Sequence, residues 1–228
     1  MAIVHGKAGE WARVKGTVYG LWPLYLCAAG FGFSLALIFF AGFTGSLVGA
    51  VLLVASLVAA FFSLQKGLGH VERYFKGARG EERVSGILQS LPDSYHVFND
   101  FVAGGKHIDH VVVGPAGVFA IETKFWRGKV TLEDGHILLD GQLPDHSPLA
   151  QVTKEASLVK SALAKKGWTG SVTPVLAFAS DTFEAKIAET QGAVILNSNH
   201  LRESFATERV VIAPAELVRL VQLMETNA

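Results

Sequence analysis

Ile108-Asp109-His110-Val111-Val112-Val113-Gly114-Pro115-Ala116-Gly117-Val118-Phe119-Ala120-Ile121-Glu122-Thr123-Lys124 reads as two strands joined by a tight turn. β-branched and aromatic residues dominate both arms, and Gly114-Pro115-Ala116-Gly117 supplies the turn chemistry between them. With the turn centred between Pro115 and Ala116, Asp109 lies directly across from Glu122 on one sheet face. Side chains paired in this way have Cβ atoms about 5 Å apart, and like charges there repel. A divalent cation removes that penalty, and hard oxygen ligands of this kind suit Mg²⁺ or Mn²⁺. Lys124, two positions from Glu122, projects from the same face. Its amino group is placed to position or deprotonate an attacking water, or, as the ammonium, to stabilise charge forming on a phosphate.

Glu-x-Lys is a common tripeptide, and a solvated ladder of ion pairs on a surface strand is the plain alternative. The surroundings argue against it. Ile108, His110, Val111, Val112, Val113, Val118, Phe119, Ala120 and Ile121 make both strands apolar on both faces, which is the pattern of buried strands. His107 shares the strand face of Asp109, whereas His110 faces the other way as a packing histidine.

Upstream, Arg79 to Leu91 has helical spacing, with Val84, Leu88 and Leu91 on one side, and Pro92-Asp93 stops it. Glu81 falls on the face of Val84 and Leu88, so it points toward the sheet and is either paired or functional. Glu82 falls beside Ser85, Gly86 and Gln89 and faces water. Tyr95–Phe101 and Lys106–Val113 read as strands, Gly117–Phe125 as another, and Gly128–Asp140 as a hairpin turning at Asp134-Gly135. Ser147-Pro148 starts a helix that buries Val152, Ala156, Val159 and Leu163 and ends before Gly167. Gln151 lies near the start of that helix and alone reads as a surface amide. Val172–Ala179 is a nearly continuous apolar run, fitting a central strand; Ala193–Leu196 is a further strand and Ala215–Met224 a closing helix. The expected fold class is α/β, a sandwich around a mixed sheet.

The N-terminal end is different. Half of all residues are hydrophobic and 18% charged, and the excess apolar character sits between Lys15 and Lys66, where no Asp, Glu, Lys, Arg or His occurs. Fifty such residues span about 75 Å as helix, twice what one bilayer crossing needs. Two transmembrane helices follow, Leu21–Phe40 and Ser46–Leu64, turning around Gly42-Phe43-Thr44-Gly45. A cleaved signal peptide has a shorter apolar region, and Leu26 before Cys27 argues against a lipoprotein anchor. The spacing of Gly45 with Gly49 and of Ala55 with Ala59 fits close packing between the two spans, with self-association of the hairpin as the other option. Lys7, Arg13 and Lys15 precede the spans and Lys66, Arg73, Lys76 and Arg79 follow them, so both termini are expected in the cytosol of a protein integral to the cytoplasmic membrane. The single cysteine, Cys27, excludes an intrachain disulfide. The expected organisation is a cytoplasmic tail over 1–20, a transmembrane hairpin over 21–65, a basic juxtamembrane linker over 66–76, and a cytosolic domain over 77–228.

Gly77-Ala78-Arg79-Gly80-Glu81, Ile108 through Gly117, and Val118 through Lys124 with Phe125-Trp126-Arg127-Gly128 together resemble the nuclease-related domain family. Those modules are similar to the PD-(D/E)xK nuclease superfamily. The resemblance covers Gly77 to Phe205, and Asn197-Ser198-Asn199-His200-Leu201 adds a weaker match at a strand-to-helix junction. It implies a restriction-endonuclease-like α-β-β-β-α-β core and Mg²⁺-dependent (or Mn²⁺-dependent) hydrolysis of nucleic-acid phosphodiesters, DNA foremost. It also implies that Asp109 and Glu122 bind the metal, that Lys124 is catalytic, and that Glu81 and Gln151 complete the site. Ile108 departs from the proline in the superfamily's name, a departure the nuclease-related group tolerates.

Other chemistries fare worse. The eight histidines show no zinc-like spacing, no glycine loop with a lysine cradles phosphate, and no Ser/His/Asp set is arranged as a triad. From residue 66 onward 17 Lys and Arg face 19 Asp and Glu, a net of −2. Proteins that grip long nucleic acid usually carry a basic surplus. Two other functions therefore stand beside the nuclease: a catalytically weak nucleic-acid-binding module that tethers DNA to the membrane, and a membrane adaptor that uses the fold for protein contacts. The basic residues after the spans also suit anionic lipid headgroups.

Overall fold

A computed structural model of the chain describes residues 1–183, 185–206 and 210–226. Asn227 and Ala228, the end of the domain as read from sequence, lie outside the described residues. The chain divides into two compact units, one of Met1–Trp11 with Gly77–Ala228 and one of Ala12–Lys76.

The second unit belongs to two long helices, α1 (Glu10–Phe40) and α2 (Gly42–Gln89), joined at Gly42 with φ +67°. Both are long and apolar enough to cross a membrane, and only 6% of the most apolar window of each is buried. A core helix of a soluble domain would hide that stretch; here it is presented outward. Small residues let the two helices approach. A Cβ on Gly49 would stand 2.8 Å from the Ser34 carbonyl oxygen, and one on Gly67 would run into the Gly20 carbonyl. Gly49 thus packs between the spans, as the sequence spacing suggests. Each helix overruns its expected limits. α1 begins at Glu10, and α2 continues through the expected 66–76 linker into the helix expected over Arg79–Leu91, because no proline lies between Gln65 and Gln89 to break a helix.

In the other unit the described residues form a seven-stranded mixed sheet in the order β1-β2-β3-β4-β7-β9-β8. Its strands are β1 (Ile3–His5), β2 (His96–Ala103), β3 (Lys106–Gly114), β4 (Gly117–Lys124), β7 (Val172–Phe178), β8 (Ile187–Thr190) and β9 (Ala193–Asn197). A separate hairpin, β5 (Val130–Glu133) with β6 (His136–Leu139), turns at Asp134-Gly135 as expected. β3 and β4 pair antiparallel from Gly114↔Gly117 to His110↔Ile121, the register expected from the turn. β4, β7 and β9 run parallel, and Val175 through Phe178 are all buried, as a central strand should be.

Alternation along the strands feeds two cores. Val112, Phe119 and Ile121 pack with Val84 and Leu88 of α2 and with Leu201 and Phe205 of α4 (Leu201–Ala206). Val111, Val113, Val118 and Ala120 pack with Ala156, Val159 and Leu163 of α3 (Pro148–Ala164) and with Leu220 and Met224 of α5 (Pro214–Glu225). The Ser147 hydroxyl accepts from the Ala150 N–H at 3.3 Å and Pro148 opens α3, so the start read from Ser147-Pro148 is the one formed.

The expected tail over 1–20 is not featureless. Ile3–His5 forms an edge strand parallel to His96–Phe98, the Ile3 N–H donates to the Tyr95 carbonyl at 3.0 Å, and Ala2 is buried. Three β residues after a polar-free start carry too little pattern to be read as a strand without knowing which edge awaits them.

Candidate active site

β3 parts from β4 just where the acidic residues begin. The ladder between them ends at His110↔Ile121, while β3 keeps its pairing with β2 through Phe101↔Ile108 and beyond. The Asp109 carboxylate enters the gap and accepts from the Thr123 backbone N–H at 2.7 Å, taking the donor that a continued ladder would have used. Two apolar strands thereby open into a polar notch.

Lys124 anchors one wall of the notch. Its ammonium donates to Glu122 Oε1 at 2.5 Å and to Gln151 Oε1 at 2.9 Å. Gln151 Nε2 donates in turn to Glu155 Oε1 at 2.9 Å, so the amide has one orientation that satisfies both neighbours. Glu155 also feels the charge of Glu122, so four side chains from β4 and α3 cluster here. Glu81 comes from α2 and accepts from the Gly9 backbone N–H.

The electrostatics show how closely these groups are grouped. Burial, then the charges of Asp100 and Glu122, push Glu81 up to about 7. Burial, then Glu122 and Glu81, hold Asp109 well above the usual carboxylate range. Burial and the neighbouring Glu122 push Glu155 up to about 8. Burial pulls the Lys124 ammonium down, but Glu122, Asp109 and Glu155 outweigh it and leave it raised. One lysine thus stands beside Glu122 and near three further carboxylates, Glu81, Asp109 and Glu155, that desolvation and mutual repulsion drive to hold protons.

The nuclease-related domain family matches residues 76–179, a span that contains Glu81, Asp109, Glu122, Lys124, Gln151 and Glu155. Residues 76–179 form a nuclease-related domain. An uncharacterized protein of Bacillus anthracis is similar to this chain, 33% identical over 88 residues, 36% of this chain and 40% of the relative. The chain thus spans less than half the length of that relative. A crystal structure of a Vibrio cholerae protein superposes at a TM-score of 0.26 with 10% identity, covering 95% of this chain and 55% of that one. At that score it carries no argument about this fold.

Every residue expected in the site, Glu81, Asp109, Glu122, Lys124 and Gln151, is brought into one cluster of the nuclease-related domain. Glu82 is exposed, as its helix phase requires. His110 is buried with Nδ1 against Asn99 Oδ1 at 2.7 Å, and burial lowers it to about 3, so it is a neutral packing histidine. His107 sits at the rim, its ring stacked on Trp11 with centroids 4.1 Å apart.

Two acids of the cluster escaped the sequence reading. Glu155 was legible: it stands four residues after Gln151, three after Val152 and four before Val159, an acid on the apolar stripe of its helix. The same test singled out Glu81. Asp100 carried no such signal, because its place depends on a backbone turn inside β2, where its φ is +49°.

Proposed function

We propose that the nuclease-related domain hydrolyses nucleic-acid phosphodiester bonds with Mg²⁺ or Mn²⁺, acts on DNA, and is anchored to the cytoplasmic membrane by the α1–α2 hairpin. The observation that carries this reading is the Lys124 ammonium held by Glu122 and Gln151, with Asp109 and Glu81 within electrostatic reach of it.

The donor set fits a hard divalent cation. Asp109 and Glu122 offer oxygens only, and their mutual repulsion is what a cation relieves. Among the described residues no three His, Cys, Asp or Glu side chains are grouped so as to hold a metal ion by themselves. Mg²⁺ suits such a site, since it is commonly held by one or two carboxylates and completed by water and substrate phosphate. When bound, the ion polarises the phosphate and lowers the pKa of the attacking water.

The chain's own groups divide the remaining work. Lys124 keeps its proton, because the carboxylates around it raise its pKa. Its ammonium is placed to stabilise charge on the phosphate. Gln151 accepts from Nζ alongside Glu122 and so helps to fix where that charge sits. Glu81 brings a third carboxylate to the notch from the opposite layer.

Strand pairing supports the membrane topology proposed. β1 and β2 lie in one sheet, so Ile3 and Val97 are on the same side of any bilayer that the intervening helices cross. Two crossings satisfy this, and the basic flanks place that side in the cytosol. The net acidic balance after residue 66 favours the competing reading, a module that binds nucleic acid or protein without cleaving.

The test is a cleavage assay of the full chain in lipid nanodiscs, on linear, circular, single-stranded and branched DNA and on RNA. Cleavage that needs Mg²⁺ or Mn²⁺ and is lost in Lys124→Ala supports the proposal. Metal binding with no cleavage of any substrate sinks it in favour of the binding module or adaptor.

A further inference from the structure

The family match begins at residue 76, yet the unit that contains the site includes Met1–Trp11, on the far side of the hairpin in sequence. This segment does more than add an edge strand. After β1, the Gly6 carbonyl accepts from Asn99 Nδ2 at 3.4 Å, and Asn99 is also the partner of His110. Gly9, at φ +72°, turns the chain into α1 so closely over α2 that a Cβ there would stand 2.7 Å from the Ala78 Cβ. That turn aims the unpaired N–H groups of the first turn of α1 back at the site. The Gly9 N–H donates to Glu81, and the Glu10 and Trp11 N–H groups donate to Asp100, the latter at 3.2 Å. Trp11 then stacks on His107, the two rings almost parallel at 3°.

An α-helix leaves its first N–H groups without partners, and carboxylates are good caps for them. Here the caps are two acids of the nuclease site, and one has its backbone in the left-handed region to reach them. For a non-glycine residue within a strand that conformation is costly and persists where the surroundings enforce it.

We propose that Met1–Trp11 is a working part of the nuclease site and that Asp100 is a positioning residue, which locks this segment in place so that it holds Glu81. The proposal rests on the nuclease reading above. Asp100 acts on the reaction through Gly9 and Glu81 and touches no reacting atom. The geometry also explains why a sheet-completing segment precedes the hairpin: the site is assembled from both of its flanks.

Two substitutions separate the cap from the charge. Asp100→Asn and Asp100→Gly both remove the carboxylate charge, and both residues tolerate positive φ. Only asparagine keeps an oxygen able to cap. In full-length protein in nanodiscs, three quantities are measured for each: amide exchange over residues 2–11, Mn²⁺ affinity, and kcat and KM on duplex DNA. Asp100→Gly should expose the segment to exchange, weaken Mn²⁺ binding, and lower kcat about tenfold with KM within about twofold. Asp100→Asn should recover most of each loss. The proposal is overturned if Asp100→Gly leaves the segment protected, or loosens it while matching the asparagine variant in both kcat and Mn²⁺ affinity. If the wild type binds Mn²⁺ but cleaves nothing, the nuclease reading fails while the Mn²⁺ comparison still decides the positioning role. If the wild type neither cleaves nor binds Mn²⁺, both fail.

Discussion

Glu81 lies one residue from Glu82, yet only Glu81 is buried, beside Gly9 and within electrostatic reach of Asp109 and Glu122. Glu81→Gln should therefore lower activity on the order of tenfold or more, while Glu82→Gln leaves it nearly unchanged. Equal effects in a cleavage assay would mean that burial on this helix face is unrelated to the chemistry. The raised acids also set a pH dependence for the metal-free protein. Glu81 at about 7 and Glu155 at about 8 both start from an ordinary value of 4.5, so the folded state binds more protons than the unfolded one between those limits. Their contribution to stability is present below pH 4.5 and is lost as pH rises through 7 and 8. His110, depressed to about 3 from 6.5, works in the opposite sense but only below 6.5. The melting temperature in chelator should accordingly fall from pH 6.5 to pH 8. A flat or rising profile over that window would contradict the buried-acid account.

At the scale of elements, the hairpin offers a paired test. A side chain on Gly67 meets the Gly20 carbonyl oxygen at once, whereas around Gly69, on the same helix, nothing lies within 4 Å. Gly67→Leu should destabilise the hairpin by about 1–3 kcal/mol through overpacking, and Gly69→Leu should not. Loss of helical signal on heating in detergent reads the difference; equal behaviour would show that the helices do not pack at Gly67. The elements legible in the sequence were those whose pattern is complete within themselves. The β3–β4 register followed from Gly114-Pro115-Ala116-Gly117, the phase of Glu81 from Val84 and Leu88, and the start of α3 from Ser147-Pro148. What was not legible depends on partners far away in the chain. Ile3–His5 is a strand only because the β2 edge is free to receive it, and β8 pairs with β9 alone. The continuation of α2 into the unit that holds the sheet was hidden by the change from apolar to charged residues at Lys66, which ends the apolar pattern without ending the helix.

On the scale of the whole molecule, β1 in the sheet of the nuclease-related unit demands an even number of crossings between Met1 and Gly77. A reporter active only in the cytoplasm should work when fused before Met1 and equally after Ala228, and one active only outside should work near Thr44. A signal from outside at either end would break the pairing or reverse the orientation. Everything proposed for the molecule, however, turns on whether the notch between β3 and β4 holds a cation. The most direct measurement is the melting temperature of the full chain with chelator and with Mn²⁺, for wild type and Asp109→Asn. Asp109 is crowded by Glu122 and Glu81, so Asp109→Asn should melt higher than wild type in chelator, because one of the opposed carboxylates is gone. Mn²⁺ should raise the wild-type melting temperature by mass action and leave the variant almost unmoved. An equal Mn²⁺ shift in both proteins would show that Asp109 is not a ligand and would contradict the account.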